Sequence, residues 1–378
     1  MVVVAPPWPG GEHPGRQTPG STLAAGGPAG DAEAMRYESS VTSLSWIPSE
    51  AVPTGMRMPF DAGILHYDTP PPDRIDDVPA LQAADRFRFA NVLCAWIDTG
   101  PDGTITGYGY GGEGQHGGFM GATTVRAGLL HRTFQAVRLP DLQRAPEEGP
   151  GWVRFAQTVG GRTAIPSPRT VSRPPYVQWQ APLVWTTLSL TLHADGRAEY
   201  VMAGASPFPR HWVYDEHGRL THKSGLTDPK TWNRDSFGEH TPWGDQDSEA
   251  LVTAVETALE RTLSGQLMHG AAKPKIENVR AGTGLLRQGE PGTAVYLLLD
   301  GVVRVERDGQ WLAEYGPGVM LGERALLEDG TRTSTVTAVT PCRVASVDAS
   351  QFDRTALTEL AAGHQREAAE REAAGQES

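Results

Sequence analysis

The sequence predicts a mainly β protein with a few helices, built as a Gly- and Trp-rich N-terminal β domain followed by a second all-β unit. The 378 residues leave room for two domains of ordinary size. Nine of the ten tryptophans lie before residue 245, so the two parts differ in composition. After residue 280, apolar runs of about five residues alternate with Asp-Gly and Gly-Pro turns, which is typical of consecutive β-hairpins.

The composition limits the partners that we expect. The net charge is −12, with twenty-nine arginines and four lysines. An acidic chain gains little from counterion release on DNA, so we predict no direct nucleic-acid binding. Cys94 and Cys342 are too few and too far apart for a disulfide framework or a zinc site. No apolar run approaches the eighteen or so residues that cross a bilayer, which predicts a cytoplasmic protein without membrane contact.

Residues 1–36 are predicted to be a disordered leader. Thirteen of the first 34 residues are Gly or Pro. Few large apolar residues are present there to offset the conformational entropy that folding would remove. Met35 stands where ordered sequence begins and is therefore a candidate alternative start.

Residues 37–246 form the predicted β domain, and its clearest element is a hairpin over residues 185–204. A two-residue turn would place Leu192 opposite Glu199, whereas a three-residue turn at 194–196 matches apolar residues across the strands. The opposed pairs are then Leu192 with Ala198, Leu190 with Tyr200, and Leu188 with Met202. We therefore expect the three-residue turn, with Gly196 in the left-handed conformation.

Two helices are predicted before the second β unit, and a third, over residues 348–363, is predicted to follow its last strand. Residues 80–90 place Leu81, Ala84 and Phe87 at helical spacing. Residues 248–268 give the strongest helical pattern in the chain, with Asp247 or Ser248 as the cap. Its apolar stripe comprises Leu251, Val252, Val255, Leu259, Leu263 and Leu267. Residues 247–279 are therefore a helix and linker between the two β units.

Two segments of the first domain are candidate anion sites. Residues 107–121 contain eight glycines in fifteen residues, which would let backbone N–H groups approach a phosphate. No Gly-Lys-Ser/Thr ending or strand-to-helix context is present, so a surface loop is the simpler interpretation, with Glu113 and His116 as the residues to watch. Arg162, Arg169 and Arg173 concentrate positive charge, although ordinary surface arginines explain them as well.

A His-rich segment is the remaining candidate for chemistry in the first domain. His211, His217, His222 and His240 lie among several carboxylates, a composition that suits zinc or iron. A turn at 215–218 would make His211 and His222 direct partners. A turn at 216–218 instead pairs Tyr214 with Leu220 and places His222 opposite Trp212 and His211 beside Lys223. We prefer the second register because it gives one apolar face, and it separates the two histidines, so no metal site is predicted.

The second β unit is predicted over residues 280–360, with a charged, flexible tail at 361–378. Within this unit lies the sequence Leu321-Gly322-Glu323-Arg324-Ala325-Leu326, and Arg332-Thr333 follows nine residues after the glutamate. A guanidinium can hold a phosphate in two hydrogen bonds, and a Gly lets the main chain approach a ligand closely. A carboxylate can accept a hydrogen bond from a sugar hydroxyl.

This segment resembles the phosphate-binding cassette of cyclic nucleotide-binding domains, in which a turn and short helix hold one cyclic nucleotide inside a β-roll. The resemblance covers residues 280–355 and implies a double-stranded β-helix (jelly-roll) with flanking helices. It implies that Arg332 binds the cyclic phosphate and that Glu323 accepts from the ribose 2′-hydroxyl. The nucleotide-binding residues are then Gly322, Glu323, Ala325, Leu326, Arg332 and Thr333, with cAMP or cGMP as the ligand.

The segment departs from the family pattern in three places. Val319, Met320 and Leu321 stand where an acidic residue and an aromatic residue are common. Arg324 replaces the usual aliphatic residue. The pair at 328–329, Glu328 and Asp329, adds negative charge near the expected phosphate, which should weaken anion binding at low salt.

The predicted function is a two-domain sensor whose roll binds a cyclic nucleotide or similar small anion and modulates the first domain. Alternatives are a degenerate roll that acts as an assembly module, and an enzyme in the first domain, metal-dependent or not, that the roll controls. A DNA-binding regulator is not favoured, because about 23 residues follow the roll and a helix-turn-helix module needs roughly 50–60. A homo-oligomer or a protein partner is compatible with each hypothesis. The first domain resembles no family that its motifs identify.

Overall fold

The computed structural model describes residues 3–4, 35–49, 52, 57–112, 116–127, 130–170, 174, 176–237, 241–244, 248–255, 258–269, 274–327, 330–348, 355 and 358–362. Within these ranges the chain is mainly β, as predicted, and forms two β units joined by a helix. The helices are α1 (Met58–Asp61), α2 (Val78–Ala83), α3 (Pro229–Asp235) and α4 (Ala258–His269).

The strands are numbered in chain order. Those of the first unit are β1 (Val3–Val4), β2 (Met35–Trp46), β3 (Phe89–Thr99), β4 (Ile105–Tyr110), β5 (Gly117–Met120), β6 (Thr123–Ala127), β7 (Leu130–Phe134), β8 (Val137–Arg138), β9 (Leu142–Gln143), β10 (Glu147–Gly149), β11 (Trp152–Arg162), β12 (Ser167–Thr170), β13 (Val177–Gln180), β14 (Leu183–His193), β15 (Ala198–Ala205), β16 (Arg210–Tyr214), β17 (Leu220–Ser224) and β18 (Leu251–Ala254). Those of the second unit are β19 (Lys275–Val279), β20 (Gly284–Leu286), β21 (Ala294–Asp300), β22 (Val303–Arg307), β23 (Gln310–Tyr315), β24 (Met320–Leu321), β25 (Thr335–Ala338) and β26 (Cys342–Asp348).

The first unit is a sandwich of two antiparallel sheets. One sheet has the order β1-β18-β17-β16-β2-β3-β4 with β5 also on β3, and the other has β10-β11-β14-β15 with β8 and β9 on β11. Leu93, Phe155, Leu188 and Leu190 are fully buried between them. Polar residues fill one layer of this interior: Gln157 Nε2 donates to Asn91 Oδ1 at 2.9 Å. Such buried groups need partners, so this layer helps to fix how the sheets align.

The predicted register of the β14–β15 hairpin is confirmed. Leu188 pairs with Met202, Leu190 with Tyr200, and Leu192 with Ala198. Gly196 has φ 87°, the left-handed conformation that the three-residue turn requires.

The Gly-rich segment is ordered differently from the surface loop that we predicted. Residues 107–110 belong to β4 and residues 117–120 to β5, and both strands pair with β3. Close packing explains the glycines, because a Cβ at Gly109 would lie 3.0 Å from the Trp96 ring and a Cβ at Gly118 would collide with Val159. His116 is exposed, and Glu113 lies outside the described residues.

The prediction of a helix over residues 80–90 was wrong in its extent. Helix α2 is earlier and shorter, and Asp77 caps it by accepting from the Ala80 amide at 3.0 Å. The chain turns at Asp85, where φ is 52°, and continues toward β3. Phe87 is therefore buried against the sandwich rather than on a helix face.

The predicted helix over residues 248–268 was correct from Ala258 onward and wrong over Leu251–Ala254, which is a strand. Leu251–Ala254 forms β18, which pairs with β17, and helix α4 begins at Ala258. Val252 is buried in the sandwich core, whereas Leu263 and Leu267 are buried in the core of the second unit. One apolar stripe in the sequence thus serves two different cores.

The predicted leader contributes to the sandwich at both of its described ends. Val3 pairs with Val252 on β18, where an apolar β-branched segment can pair with an otherwise open sheet edge. Met35 and Arg36 begin β2, and Arg36 forms an ion pair with Asp98 at 2.7 Å. Residues 5–34, and the predicted tail from residue 363 onward, lie outside the described residues.

The second unit is a jelly-roll of two four-stranded antiparallel sheets, as predicted. Their orders are β19-β26-β21-β24 and β20-β25-β22-β23. Leu298, Val303, Val336 and Val344 are almost completely buried between the sheets. Helix α4 and the helical residues 358–362 cover the outer face of the first of these sheets. No helix in the described ranges is long and apolar enough to cross a bilayer.

The register of the His-rich hairpin was correct near the turn and wrong by one residue beyond it. Tyr214 pairs with Leu220 as predicted, but a bulge then places His222 opposite Val213 and Lys223 opposite Trp212. Across the part of the chain that the structure describes, no three His, Cys, Asp or Glu residues are placed to hold a metal ion. His240 is outside that part.

His211 is fully enclosed in the sandwich. Its Nε2 donates to the Ser206 carbonyl at 2.7 Å, so its Nδ1 accepts from the Ser45 hydroxyl at 2.6 Å. Burial lowers the pKa of His211 to about 4, with the nearby Arg210 charge acting in the same direction. The neutral imidazole is therefore the form that the folded protein accommodates.

We expect this histidine to make the protein less stable in acid. The unfolded chain takes up the His211 proton near pH 6.5 and the folded chain only near pH 4, so stability falls as the pH drops through this window, by about 3 kcal/mol in total. Urea unfolding between pH 7 and pH 4 measures the loss. His211→Gln should reduce this pH dependence, whereas the exposed control His217→Gln should leave it unchanged.

Candidate ligand-binding site

A cavity of about 370 Å³ lies in the jelly-roll between its strands and the segment that follows β24. Its apolar wall comes from Leu286 on β20, Val305 on β22, Leu312 on β23 and Val336 on β25. The rest of the lining is formed by residues 319–325 and 332–334 and by polar residues of the β22–β23 hairpin. The cavity therefore has both apolar and polar lining residues, which suits a flat ring that carries a charged group.

The predicted cassette contributes several of the polar residues that line this cavity. Gly322 follows β24 and has φ 86°, which is a left-handed conformation that favours glycine. Glu323 and Ala325 come next, are buried, and line the cavity. Arg324–Leu326 forms a single 3₁₀ turn, so the helix expected from the family resemblance is only three residues long within the described chain.

Arg332 is buried, with 6% of its surface exposed. Its guanidinium donates to the carbonyls of Gly322 at 2.9 Å and Ala294 at 3.0 Å. Its backbone is fixed as well, because its N–H donates to Glu290 O at 2.8 Å and its carbonyl accepts from Gly289 N at 2.9 Å. The side chain is thus held in place before any ligand arrives.

Two glycines make room for this guanidinium. A Cβ at Gly292 would collide with Nε and Nη2 of Arg332, and a Cβ at Gly322 would collide with Nη1. The ring of Tyr296 lies 5.7 Å from the guanidinium carbon. Burial lowers the pKa of Arg332, and the nearby charges of Tyr296 and Glu323 oppose that effect.

The structure brings five of the six predicted site residues to one place. Gly322, Glu323, Ala325, Arg332 and Thr333 all line the cavity. The backbone of Leu326 ends the adjoining 3₁₀ turn. Together they present a buried cation, a carboxylate and a hydroxyl at the edge of an apolar space. This arrangement can bind a small anion that carries both a ring and hydroxyl groups.

Several residues of the cavity wall were not predicted from the sequence. Arg307 and Gln310, from the β22–β23 hairpin, line it along with Tyr315 and Ser334. Arg324, which replaces the usual aliphatic residue of the family, also lines the cavity and is half-buried. Nothing local in the sequence indicates these contacts, because they depend on which strands pair across the roll.

The departures from the family pattern have a structural explanation in part. Val319, Met320 and Leu321 are buried in the roll, so apolar residues at these positions complete its two cores. Glu328 and Asp329 lie outside the described residues.

In the arginine-rich segment of the first unit, the Arg162 side chain makes hydrogen bonds within the protein. Arg162 Nη1 donates to the Ala181 carbonyl at 2.9 Å and to the Ser236 carbonyl at 3.3 Å. Burial lowers its pKa. Arg173 lies outside the described residues, and only the backbone of Arg169 is described.

Comparisons with known proteins place this roll in a family. The cyclic nucleotide-binding domain family matches residues 276–359. The cGMP-dependent protein kinase egl-4 of Caenorhabditis elegans is 26% identical over 199 residues, which are 52% of this chain and 22% of the kinase. The CRP-like cAMP-activated global transcriptional regulator of Mycobacterium tuberculosis is 38% identical over 66 residues, 16% of this chain and 30% of the regulator. The chain thus spans less than a third of either relative.

Solved structures with the same kind of domain are also similar. The cyclic nucleotide-binding-like protein from Brucella abortus is 28% identical to this chain, with a TM-score of 0.20. The match covers 22% of this chain and 76% of the Brucella abortus chain. PKAR CBD2 with bound Sp-2Cl-cAMPS is 21% identical to this chain, with a TM-score of 0.24. The match covers 32% of this chain and 86% of the PKAR CBD2 chain. At these TM-scores the fold assignment depends on the strand order of the roll itself.

The second unit is a β-roll that encloses a cavity. The C-terminal roll of this chain, residues 276–359, belongs to the cyclic nucleotide-binding domain family, and the N-terminal sandwich lies outside the family match.

We expect Gly322→Ala to destabilise the roll by more than the cost of placing an alanine at a positive φ. An alanine there meets both an unfavourable positive φ and a collision with Arg332, which together should destabilise the roll by about 2–3 kcal/mol. The matched control is Gly309→Ala, since Gly309 has φ 78° and open space around it, so only about 1 kcal/mol should be lost. Urea unfolding compares the two. Equal losses would mean that the Arg332 side chain is not confined as described.

Proposed function

We propose that the roll binds a cyclic nucleotide, cAMP or cGMP, and that the chain is a regulatory protein in which nucleotide occupancy modulates the N-terminal sandwich. The single observation that carries the proposal is the buried Arg332, held between Gly292 and Gly322 at the edge of an apolar cavity. The family match at residues 276–359 and the names of the relatives support the same ligand class.

In this proposal Arg332 binds the cyclic phosphate. The Arg332 guanidinium is 6% exposed and donates to the neutral carbonyls of Gly322 and Ala294, so its charge is costly to bury even with the Glu323 carboxylate nearby. A phosphate monoanion would offset that cost with charge-assisted hydrogen bonds, which a neutral ligand cannot provide. The lowered pKa of Arg332 has the same origin, since burial disfavours its charged form.

The other predicted residues have complementary roles. Glu323 is buried at the cavity wall, where its carboxylate would accept from the ribose 2′-hydroxyl. Gly322 and the small Ala325 let the backbone approach the phosphate, and Leu326 completes the turn. Thr333 would offer its hydroxyl to the base, which the apolar wall of Leu286, Val305, Leu312 and Val336 would enclose.

We expect Arg332→Ala to weaken cyclic nucleotide binding by about 2–4 kcal/mol, because the phosphate would lose its charged partner in a buried place. Calorimetric titration with cAMP and cGMP measures the loss. Arg287→Ala is the matched control, since Arg287 is on the same unit with 79% of its side chain exposed, and it should bind as the wild type does. Failure of the folded wild type to bind either nucleotide would contradict the proposed ligand.

The linker helix supports the regulatory part of the proposal. Helix α4 packs on the roll through Leu263 and Leu267. Glu260, buried in its first turn, accepts from the amide of Met320 at 3.3 Å, immediately before the cassette. Ser264 donates to the Gly318 carbonyl at 3.2 Å. A movement of the cassette would therefore act directly on the helix that continues from β18 of the sandwich.

A second contact joins the roll to the sandwich. The Asp300 carboxylate, at the end of β21, accepts from Arg210 Nη2 at 2.9 Å and from the Thr227 amide and hydroxyl, both at 3.0 Å. The next residue, Gly301, donates its amide to the Gly225 carbonyl at 2.9 Å. These bonds give the two units a fixed point about which the linker helix could shift. Two states of different nucleotide affinity are what regulation would require.

We expect Glu260→Ala to separate binding from transmission. The variant should bind nucleotide within about threefold of the wild type, since Glu260 lies outside the cavity lining. Hydrogen exchange of β18 should then no longer respond to nucleotide, because the bond between helix and cassette is absent. Gln266→Ala, an exposed change on the same helix, should leave the response intact. Retention of the full response in Glu260→Ala would contradict this route.

We further propose that the regulated partner is a protein or the sandwich itself rather than DNA, and that the protein acts in the cytoplasm. The net charge of −12 supports the first point, since it opposes approach to a polyanion.

A further inference from the structure

A second cavity, separate from the roll, opens at one end of the N-terminal sandwich. It lies where β2 and β11 end and where β14 and β16 begin, beside α1 and α3, and has a volume of about 220 Å³. Its walls are mostly apolar, with Ile47, Phe60, Leu65, Ile165, Phe208 and Trp232 among the lining residues. It is larger than the apolar cavity of about 150 Å³ that holds a benzene molecule in another protein.

The aromatic walls of this cavity are fixed by contacts of their own. Trp232 donates its indole N–H to the Leu183 carbonyl at 2.7 Å, so it offers the cavity only ring surface. Its ring centre lies 5.0 Å from that of Phe208. Phe60 stacks on Tyr67 at 4.6 Å. A preformed aromatic space of this kind favours a rigid ring as its occupant.

One polar group in the wall lacks a partner. Thr123 is 8% exposed and lines the cavity, and its hydroxyl has no hydrogen-bond partner among the described residues. A buried hydroxyl without a partner is unfavourable, and most such groups in folded proteins are satisfied. A ligand with a hydrogen-bonding group at this end of the cavity would supply the missing bond.

The charged residues of the wall are already paired. Arg88 lines the cavity, but its Nε donates to Asp68 Oδ2 at 3.1 Å and its Nη2 donates to Asp85 Oδ1 at 2.6 Å. Its Nη1 donates to the Ala122 carbonyl. An anionic ligand would therefore approach two carboxylates along with the arginine, so the site favours an uncharged molecule.

We infer that this end of the sandwich is a binding site for an uncharged aromatic molecule of about two fused rings with one hydroxyl or carbonyl group, which pairs with the Thr123 hydroxyl. The inference is independent of nucleotide binding by the roll. It gives the N-terminal sandwich a small-molecule ligand of its own.

Equilibrium dialysis of the full chain with 2-naphthol and with naphthalene tests the inference. Each probe should occupy one saturable site, and 2-naphthol should bind roughly three- to tenfold more tightly, the range that one added hydrogen bond provides. Thr123→Val, which keeps the shape and removes the hydroxyl, should lower 2-naphthol affinity to that of naphthalene and leave naphthalene unchanged. The inference fails if the folded wild type binds neither probe, or if Thr123→Val preserves the preference.

A blocking variant locates the site independently of Thr123. Ile165 lines the cavity with 37% of its surface exposed, so Ile165→Arg should tolerate folding and exclude both probes. The matched control is Val339→Arg on the roll, where Val339 is 38% exposed, and it should bind both probes normally. Unchanged probe binding by Ile165→Arg would place the probes elsewhere and overturn the inference. Arg332→Ala should leave naphthol binding unaffected, which distinguishes this site from the roll.

Discussion

The C-terminal roll depends on one buried cation. Arg332 is enclosed by backbone carbonyls and by two glycines that no other residue could replace without a collision. Holding the guanidinium in place has an energetic cost, which an anionic ligand can offset. The left-handed turn at Gly322 and the buried Glu323 line the same cavity as this group. The cavity therefore has a buried cation in its lining.

Two attachments connect the roll to the sandwich. The residues between them do not form the single helix that their apolar pattern suggests, since β18 belongs to one core and α4 to the other. A linker whose two ends are buried in different cores has little freedom to move without affecting both. The bonds of Asp300 to Arg210 and Thr227 add a second attachment, in which burial raises the Asp300 pKa and the Arg210 charge opposes that effect. The two units are thus physically joined at both a helix and an ion pair.

Much of the fold followed from the sequence where local chemistry decided the outcome. The β14–β15 register was predictable because apolar pairs matched only with a three-residue turn, and the cassette because its residues are close together in the chain. Segments whose structure depends on distant partners were missed. Residues 107–110 and 117–120 are strands that pair with β3, with Gly109 against Trp96 and Gly118 against Val159, and residues 251–254 pair with β17. The aromatic cavity of the sandwich is lined by residues from eight separate segments, so no local pattern in the sequence indicates it.

The most direct test of the account is a crystal structure of the full chain grown with cAMP or cGMP. The account predicts the nucleotide inside the roll, with its phosphate oxygens within hydrogen-bond distance of the Arg332 guanidinium and its ribose 2′-hydroxyl on the Glu323 carboxylate. A nucleotide bound away from Arg332, or an unoccupied roll at saturating nucleotide, would contradict it and would leave the roll a role in assembly alone.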